Sequence, residues 1–166
     1  MAKVTLIEGP VGAGKTTFAA KLGVQRGVPR LDLDEWMVSL FSPDRPETGF
    51  MPWYQDRKER CLEQIWRIAL ELLDADHDVI LELGLVQLLD REEFYARVDG
   101  CDHDLEVFVL DVPFAERKAR VMRRNDEQGM AFKMAVSEEI FQIANAAWQP
   151  PDEIETRDRN IQVVTA

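Results

Sequence analysis

The chain has 166 residues, of which 46% are hydrophobic and 31% are charged. This composition indicates a single globular domain, residues 1–166, and excludes a disordered or fibrous chain. The 20 Lys and Arg residues against 31 Asp and Glu give a net charge of −11, so we expect no binding along a nucleic-acid backbone. No apolar run approaches the roughly 20 residues of a membrane span and no leader follows Met1, so we expect a cytoplasmic protein with no membrane partner.

The first part of the chain predicts a strand, a glycine-rich loop, a helix and a second short strand. Lys3–Glu8 is a β-branched apolar run that ends at a glycine cluster, as a buried strand does. Lys15–Arg26 has apolar side chains at helical spacing and stops near Gly27. Leu31–Leu33 predicts the second strand, and Glu35–Phe41 predicts a short helix.

The Pro-rich segment Ser42–Trp53 predicts a loop with defined turns, and the amphipathic segment Asp56–Leu73 predicts a long helix. The rest of the chain alternates further strands and helices. The predicted strands are Val79–Leu85, Leu105–Asp111 and Ile161–Val164; the predicted helices are Arg91–Val98 with Asp90 as N-cap, one after Pro113, and Ser137–Trp148 with Ser137 as N-cap. This alternation predicts a three-layer α/β fold with a mostly parallel, five-stranded sheet.

Residues 9–16, GPVGAGKT, match the pattern G-x-x-x-x-G-K-[ST] between a predicted strand and a predicted helix. Such a loop folds tightly, so its backbone N–H groups and the helix N-terminus face a polyphosphate. Lys15 can then reach the β- and γ-phosphates of ATP, and the Thr16 hydroxyl can bind Mg²⁺. The predicted nucleotide-binding residues are Gly9, Pro10, Val11, Gly12, Ala13, Gly14, Lys15, Thr16 and Thr17.

The remaining sequence favours a kinase among P-loop proteins. It has no Asn-Lys-x-Asp signature of a GTPase, and it is short for a motor ATPase. The chain resembles the small P-loop kinases with a nucleoside-monophosphate-kinase-like fold, the group of chloramphenicol phosphotransferase, zeta toxin, gluconate kinase, shikimate kinase and the kinase domain of polynucleotide kinase. The resemblance implies a P-loop NTPase fold, Mg²⁺ and ATP as requirements, and a small helical lid at about residues 115–135.

The segment RLDLDEW at residues 30–36 places Asp32 and Asp34 two positions apart, which predicts that both lie on one face of an extended segment. In the kinases that the chain resembles, an aspartate at the end of the second strand faces the acceptor hydroxyl. The resemblance gives that place to Asp34, as general base or orienting group, and leaves Asp32 to support Mg²⁺ through water. The alternative is that Asp34 is the N-cap of the next helix.

The segment PFAERKARVMRRN at residues 113–125 is basic in an acidic chain. Arg120 and Arg124 are four positions apart and therefore share a helix face. They resemble the R-x-x-x-R lid of the small kinases, in which arginines offset charge on the transferring phosphoryl group. The alternative is a solvated helix face whose arginines pair with Glu116 and Glu127.

Two further features bear on the site. Glu82 on the third strand occupies the place of a Walker B acid, or else it caps the following loop. Four aromatic residues flank the Pro-rich segment and can either line an acceptor pocket or belong to the core: Trp36, Phe50, Trp53 and Tyr54.

The sequence thus predicts a phosphotransferase that moves the γ-phosphate of ATP to a hydroxyl of a small-molecule acceptor. Lys15, Asp34, Arg120 and Arg124 are the predicted catalytic residues. The alternatives are a nucleotide-binding switch or regulatory ATPase that acts on a protein partner, and a polynucleotide 5′-hydroxyl kinase, which the negative charge disfavours.

Overall fold

The computed structural model describes residues 1–127 and 136–165. Their central feature is one sheet of five parallel strands in the order β2-β3-β1-β4-β5. The strands are β1 Lys3–Glu8, β2 Arg30–Asp32, β3 Val79–Glu82, β4 Asp104–Asp111 and β5 Gln162–Thr165. The prediction of a mostly parallel five-stranded sheet is confirmed.

Helices connect the strands and cover the sheet. The helices are α1 Lys15–Arg26, α2 Leu33–Phe41, α3 Phe50–Asp74, α4 Leu88–Asp99, α5 Phe114–Glu127, α6 Glu138–Ala147 and α7 Glu153–Asp158. The part of the predicted lid at residues 128–135 lies outside the described residues. In the described stretches, no helix is long and apolar enough to cross a bilayer.

The core consists of two apolar clusters, one on each face of the sheet. On one face, Leu6 and Leu81 belong to a cluster with buried residues of α2, α3 and α4. On the other face, Ile7 and Ile80 belong to a cluster with buried residues of α1. Because neighbouring residues of a strand point to opposite faces, each buried strand supplies both clusters. The predicted three-layer arrangement is confirmed.

The Pro-rich segment is less irregular than predicted. Within this segment Ser42–Asp44 forms a 3₁₀ turn, and α3 already begins at Phe50, six residues before the predicted start at Asp56. Gly49 precedes the helix with a φ of 68°, in the left-handed region that glycine adopts readily. Pro52 lies in the first turn, where a helix tolerates proline because the missing N–H would have no intrahelical partner.

Helix ends account for most of the other differences. The N-cap of α4 is Gln87 rather than Asp90, which lies in the first turn of that helix. β3 ends at Glu82, three residues earlier than predicted. The short helix α7 was not predicted; its N-cap Asp152 accepts a hydrogen bond from the backbone N–H of Glu155 at 2.8 Å. The predicted cap of α6 is confirmed.

A buried ion pair joins α4 to the C-terminal part of the chain. Arg91 is fully buried, and its Nε and Nη2 donate to the two carboxylate oxygens of Glu155 at 2.7 and 2.8 Å. Tyr95 donates its hydroxyl to the same carboxylate at 2.8 Å, and Arg91 Nη1 donates to the carbonyl oxygen of Gln149 at 2.9 Å. These bonds satisfy both charges, which burial would otherwise make costly.

Candidate active site

The loop between β1 and α1 has the backbone that a phosphate-binding loop requires. Gly12 has a φ of 78°, and a Cβ atom there would lie 2.7 Å from the carbonyl oxygen of Arg117. Gly14 is the N-cap of α1, with a φ of 91°. Lys15 donates its Nζ to the carbonyl oxygens of Gly9 at 2.8 Å and Pro10 at 3.2 Å. The ammonium group is therefore held beside the loop.

Hydroxyl and carboxylate oxygens meet next to this loop. Thr16 Oγ1 donates to Glu82 Oε1 at 2.8 Å, and strand pairing places Asp32 beside Glu82. Both carboxylates are buried, and Arg30 Nη1 donates to each, at 2.7 Å to Asp32 and 3.5 Å to Glu82. This oxygen-rich set fits Mg²⁺, which prefers such ligands. No group of three or more His, Cys, Asp or Glu residues in the described chain could hold a metal ion.

A cleft of about 600 Å³ extends from this loop to α2 and the start of α3; we call it the P-loop cleft. Its lining includes six of the predicted nucleotide-binding residues. It also includes Asp34, the predicted general base, and Arg124, one of the two predicted lid arginines. The six are Gly9, Val11, Gly12, Gly14, Lys15 and Thr16. Pro10, Ala13 and Thr17 belong to the same loop and helix but lie outside the lining.

Asp34 lies on α2 and not in an extended segment. β2 ends at Asp32, whose side chain accepts a hydrogen bond from the backbone N–H of Glu35 at 3.2 Å and is the N-cap of α2. The alternative that Asp34 caps the helix is therefore wrong, as is the expectation of one shared strand face. Asp34 is exposed on the P-loop cleft, and its carboxylate forms no hydrogen bond or ion pair with any described residue. Burial raises the pKa of Tyr54, and the nearby charge of Asp34 raises it further.

The structure separates the two predicted lid arginines. Arg124 lines the P-loop cleft, and its buried Nε has no hydrogen-bond acceptor among the described residues. Burial lowers the pKa of this guanidinium, and the nearby charge of Asp34 opposes that change. Arg120 instead donates to the carbonyl oxygen of Ala13 at 3.3 Å and forms an ion pair with Glu116. Arg120 thus contacts the backbone of the phosphate-binding loop and is not part of the lining of the P-loop cleft.

Arg117 has a structural role that the sequence did not indicate. It is buried, and it donates to the carbonyl oxygens of Val112 at 2.9 Å and Val11 at 3.0 Å and to Asn145 Oδ1 at 2.8 Å. These bonds fix the glycine-rich loop to α5 and α6. Its position in a basic segment was the only signal, and that signal does not distinguish it from Arg120 and Arg124.

Glu8, the last residue of β1, is a second group whose environment the sequence did not indicate. It is fully buried, and neither carboxyl oxygen has a hydrogen-bond partner in the described chain. Burial raises the pKa of Glu8 to about 8, while the positive charges of Lys15 and Arg91 act in the opposite direction. Burial therefore favours the protonated, neutral form of Glu8 at neutral pH.

Comparisons with known proteins identify the family of the chain and structures with a similar fold. The AAA_33 family model, described as an AAA domain, matches residues 4–151. The chain belongs to this family. No curated protein sequence matches it. Among solved structures, a sugar kinase from Janibacter sp. HTCC2649 is 15% identical with a TM-score of 0.65, and the match covers 99% of this chain and 86% of the kinase.

Two further structures have the same fold. The Mycobacterium tuberculosis APS kinase in complex with AMPPNP and APS is 16% identical with a TM-score of 0.62, covering 99% of this chain and 88% of that one. A chain of the Pnkp1/Rnl/Hen1 RNA repair complex is 20% identical with a TM-score of 0.67, covering 88% of this chain and 43% of that one. The chain thus shares the α/β fold of these proteins, with a P-loop sequence pattern between β1 and α1.

Proposed function

We propose that this AAA_33 protein transfers the γ-phosphate of ATP to a hydroxyl group of a small-molecule acceptor. The observation that carries the proposal is the P-loop cleft. Lys15 and Thr16 line one part of it, and Asp34, whose carboxylate has no hydrogen bond to a described residue, lines another. A phosphate-binding loop alone would serve a switch or an ATPase equally well. A carboxylate in the same cleft as the phosphate-binding loop is in addition able to accept the proton of a hydroxyl acceptor.

In this reaction the acceptor oxygen attacks the γ-phosphorus, and its proton passes to a carboxylate oxygen of Asp34. An O–P bond to the acceptor forms, the bond between the γ-phosphorus and the bridging oxygen breaks, and ADP leaves. Lys15 binds the β- and γ-phosphate oxygens, and Arg124 offsets charge on the phosphoryl group as it transfers. Thr16, Glu82 and Asp32 would hold Mg²⁺, which supplies further positive charge at the phosphates.

Two other activities remain alternatives. The fold similarity to the RNA repair complex favours a 5′-hydroxyl polynucleotide kinase, but the net charge of −11 opposes the binding of a phosphate backbone. A regulatory ATPase would use the same loop without an acceptor. Release of ADP distinguishes the three, because it should depend on small hydroxyl compounds, on 5′-hydroxyl oligonucleotides, or on a protein partner.

The decisive variant is Asp34→Asn, with Glu35→Gln as the matched control. Both residues are acids in the first turn of α2, but only Asp34 lines the P-loop cleft. With a saturating acceptor, single-turnover phosphoryl transfer by Asp34→Asn should fall by roughly 10² to 10⁴, the usual share of a general base, with Mg·ATP affinity and Tm unchanged. Glu35→Gln should keep the native rate. Full transfer by Asp34→Asn would remove Asp34 from the reaction.

A further inference from the structure

The acceptor side of the P-loop cleft carries a patch of apolar side chains, and Ser42, Arg45 and Lys58 are also part of its lining. One patch, which we call the apolar wall, is formed by side chains of α2 and the first turns of α3 that line the cleft beside Asp34. It comprises Met37, Val38, Phe50, Met51, Trp53 and Tyr54. Met37 and Val38 follow Asp34 by three and four positions, so they share its face of α2. The predicted aromatic residues Trp36 and Tyr54 both pack against the core, but only Tyr54 of these two also lines the cleft.

Contacts between rings and cations hold the apolar wall in one arrangement. The ring centroid of Phe50 lies 5.9 Å from that of Trp53 and 5.6 Å from that of Tyr54. The Arg45 guanidinium lies 4.3 Å from the centroid of Phe50, and that of Arg57 lies 4.5 Å from Trp53. Such contacts are favourable for aromatic rings and guanidinium groups. The rings are therefore positioned before an acceptor binds.

This composition distinguishes between classes of acceptor. A sugar or polyol placed on the wall would give up hydrogen bonds to water for contacts with apolar side chains, which is unfavourable. An aromatic body would instead cover apolar surface and stack on the rings, and a single hydroxyl would suffice for Asp34. Met51 is 57% exposed, which is apolar surface that such a body can cover.

We infer that the acceptor is an alcohol with an aromatic body, and that the apolar wall selects it over sugars and polyols. The inference rests on the proposed function, because it identifies the class of molecule whose hydroxyl faces Asp34. It sets this chain apart from structural neighbours that are named as sugar kinase and gluconokinase. The reaction is the transfer already written, with the hydroxyl of the aromatic alcohol as nucleophile.

The test uses the full chain with Mg·ATP and two sets of acceptors: 2-phenylethanol, benzyl alcohol and tyrosol against glycerol, sorbitol and gluconate. Phosphorylated product is measured by mass spectrometry, and binding of each compound in the presence of Mg·ADP is measured by ligand-observed NMR. The aromatic alcohols should show kcat/KM values at least about 10-fold above those of the polyols, because only they gain by covering the wall. They should also be the compounds that bind.

A matched pair of variants assigns the effect to the wall. Met51→Gln and Leu40→Gln both replace an exposed apolar side chain, 57% and 55% exposed, but only Met51 lines the cleft. Met51→Gln should raise KM for the aromatic alcohols several-fold with little change in kcat, and Leu40→Gln should match the native protein. An equal effect of both variants would overturn the role of the wall.

The outcomes separate the two proposals. Phosphorylation of polyols in preference to aromatic alcohols would overturn the inference and leave the phosphotransferase intact. Binding of aromatic alcohols without any transfer would overturn the proposed function and support the apolar wall as a binding surface. If neither set binds or reacts, the inference is wrong.

Discussion

Replacement of Glu8 by Gln should change how the stability of this AAA_33 protein depends on pH. Glu8 is fully buried at the end of β1, and burial raises its pKa from 4.5 to about 8. Gln has nearly the same shape and cannot lose a proton in this range. The variant therefore isolates the cost of ionising the buried acid from the cost of burying its side chain.

The sign and the magnitude follow from the two pKa values. Between pH 4.5 and 8 the folded state keeps the proton of Glu8 and the unfolded state has lost it, so a rise in pH favours unfolding. Each pKa unit corresponds to about 1.4 kcal/mol, so the native protein loses at most about 5 kcal/mol of stability across this window relative to Glu8→Gln. Below pH 4.5 the acid is protonated in both states, and the difference between the two proteins should no longer change.

Urea unfolding of both proteins at pH 5, 6, 7 and 8 measures the difference in free energy of unfolding. The control is Glu106→Gln. Although partial burial alone would raise the pKa of Glu106, its ion pair with Arg26 at 2.6 Å and its hydrogen bonds from Gln162 and Thr5 lower it overall. Glu106 is ionised in both states from pH 6 to 8, so its variant should differ from the native protein by a constant amount. A constant difference for Glu8→Gln over pH 5 to 8 would refute the reasoning.

Three further predictions test the site and its support. Lys15→Met should lower ATP turnover by about 10³ or more with a nearly native Tm, since its loss removes charge at the phosphates; turnover and melting measure this, and near-native turnover would refute it. Arg124→Ala should lower single-turnover transfer by about 10² or more, and Arg120→Ala should lower it less because only Arg124 lines the cleft; equal losses would contradict this division. Glu155→Ala should cost about 3 to 5 kcal/mol in urea unfolding, because it leaves a buried guanidinium unpaired; a loss below about 1 kcal/mol would show that water reaches that charge.

Local patterns in the sequence were sufficient to predict the phosphate-binding loop and the order of the strands and helices. The loop at residues 9–16 is recognisable because its glycines and Lys15 must stand at fixed spacing around a phosphate. Alternating apolar strands and amphipathic helices predicted the parallel sheet, because the buried face of each element requires apolar residues at a characteristic spacing in the sequence. The start of α3 was misplaced, because Pro52 reads as a loop residue although a first helical turn accepts it.

Only the tertiary structure decided the positions and contacts of individual charged residues. Spacing puts Arg120 and Arg124 on one helix face, but packing turns one toward the loop and the other into the cleft. The register of β2 against β3 brings Asp32 beside Glu82, and the end of β2 leaves Asp34 on α2. Each of these positions depends on residues far apart in the chain.

Glu8 is the clearest case. Its neighbours in the sequence show a carboxyl group at the end of a strand, which is compatible with an exposed, ionised acid as well as a buried one. The pKa depends on the elements packed around it, since burial removes the water that would stabilise the charge. The sequence determined the loop because a single stretch of backbone forms it, whereas the charge state of a side chain is fixed by everything that excludes water from it.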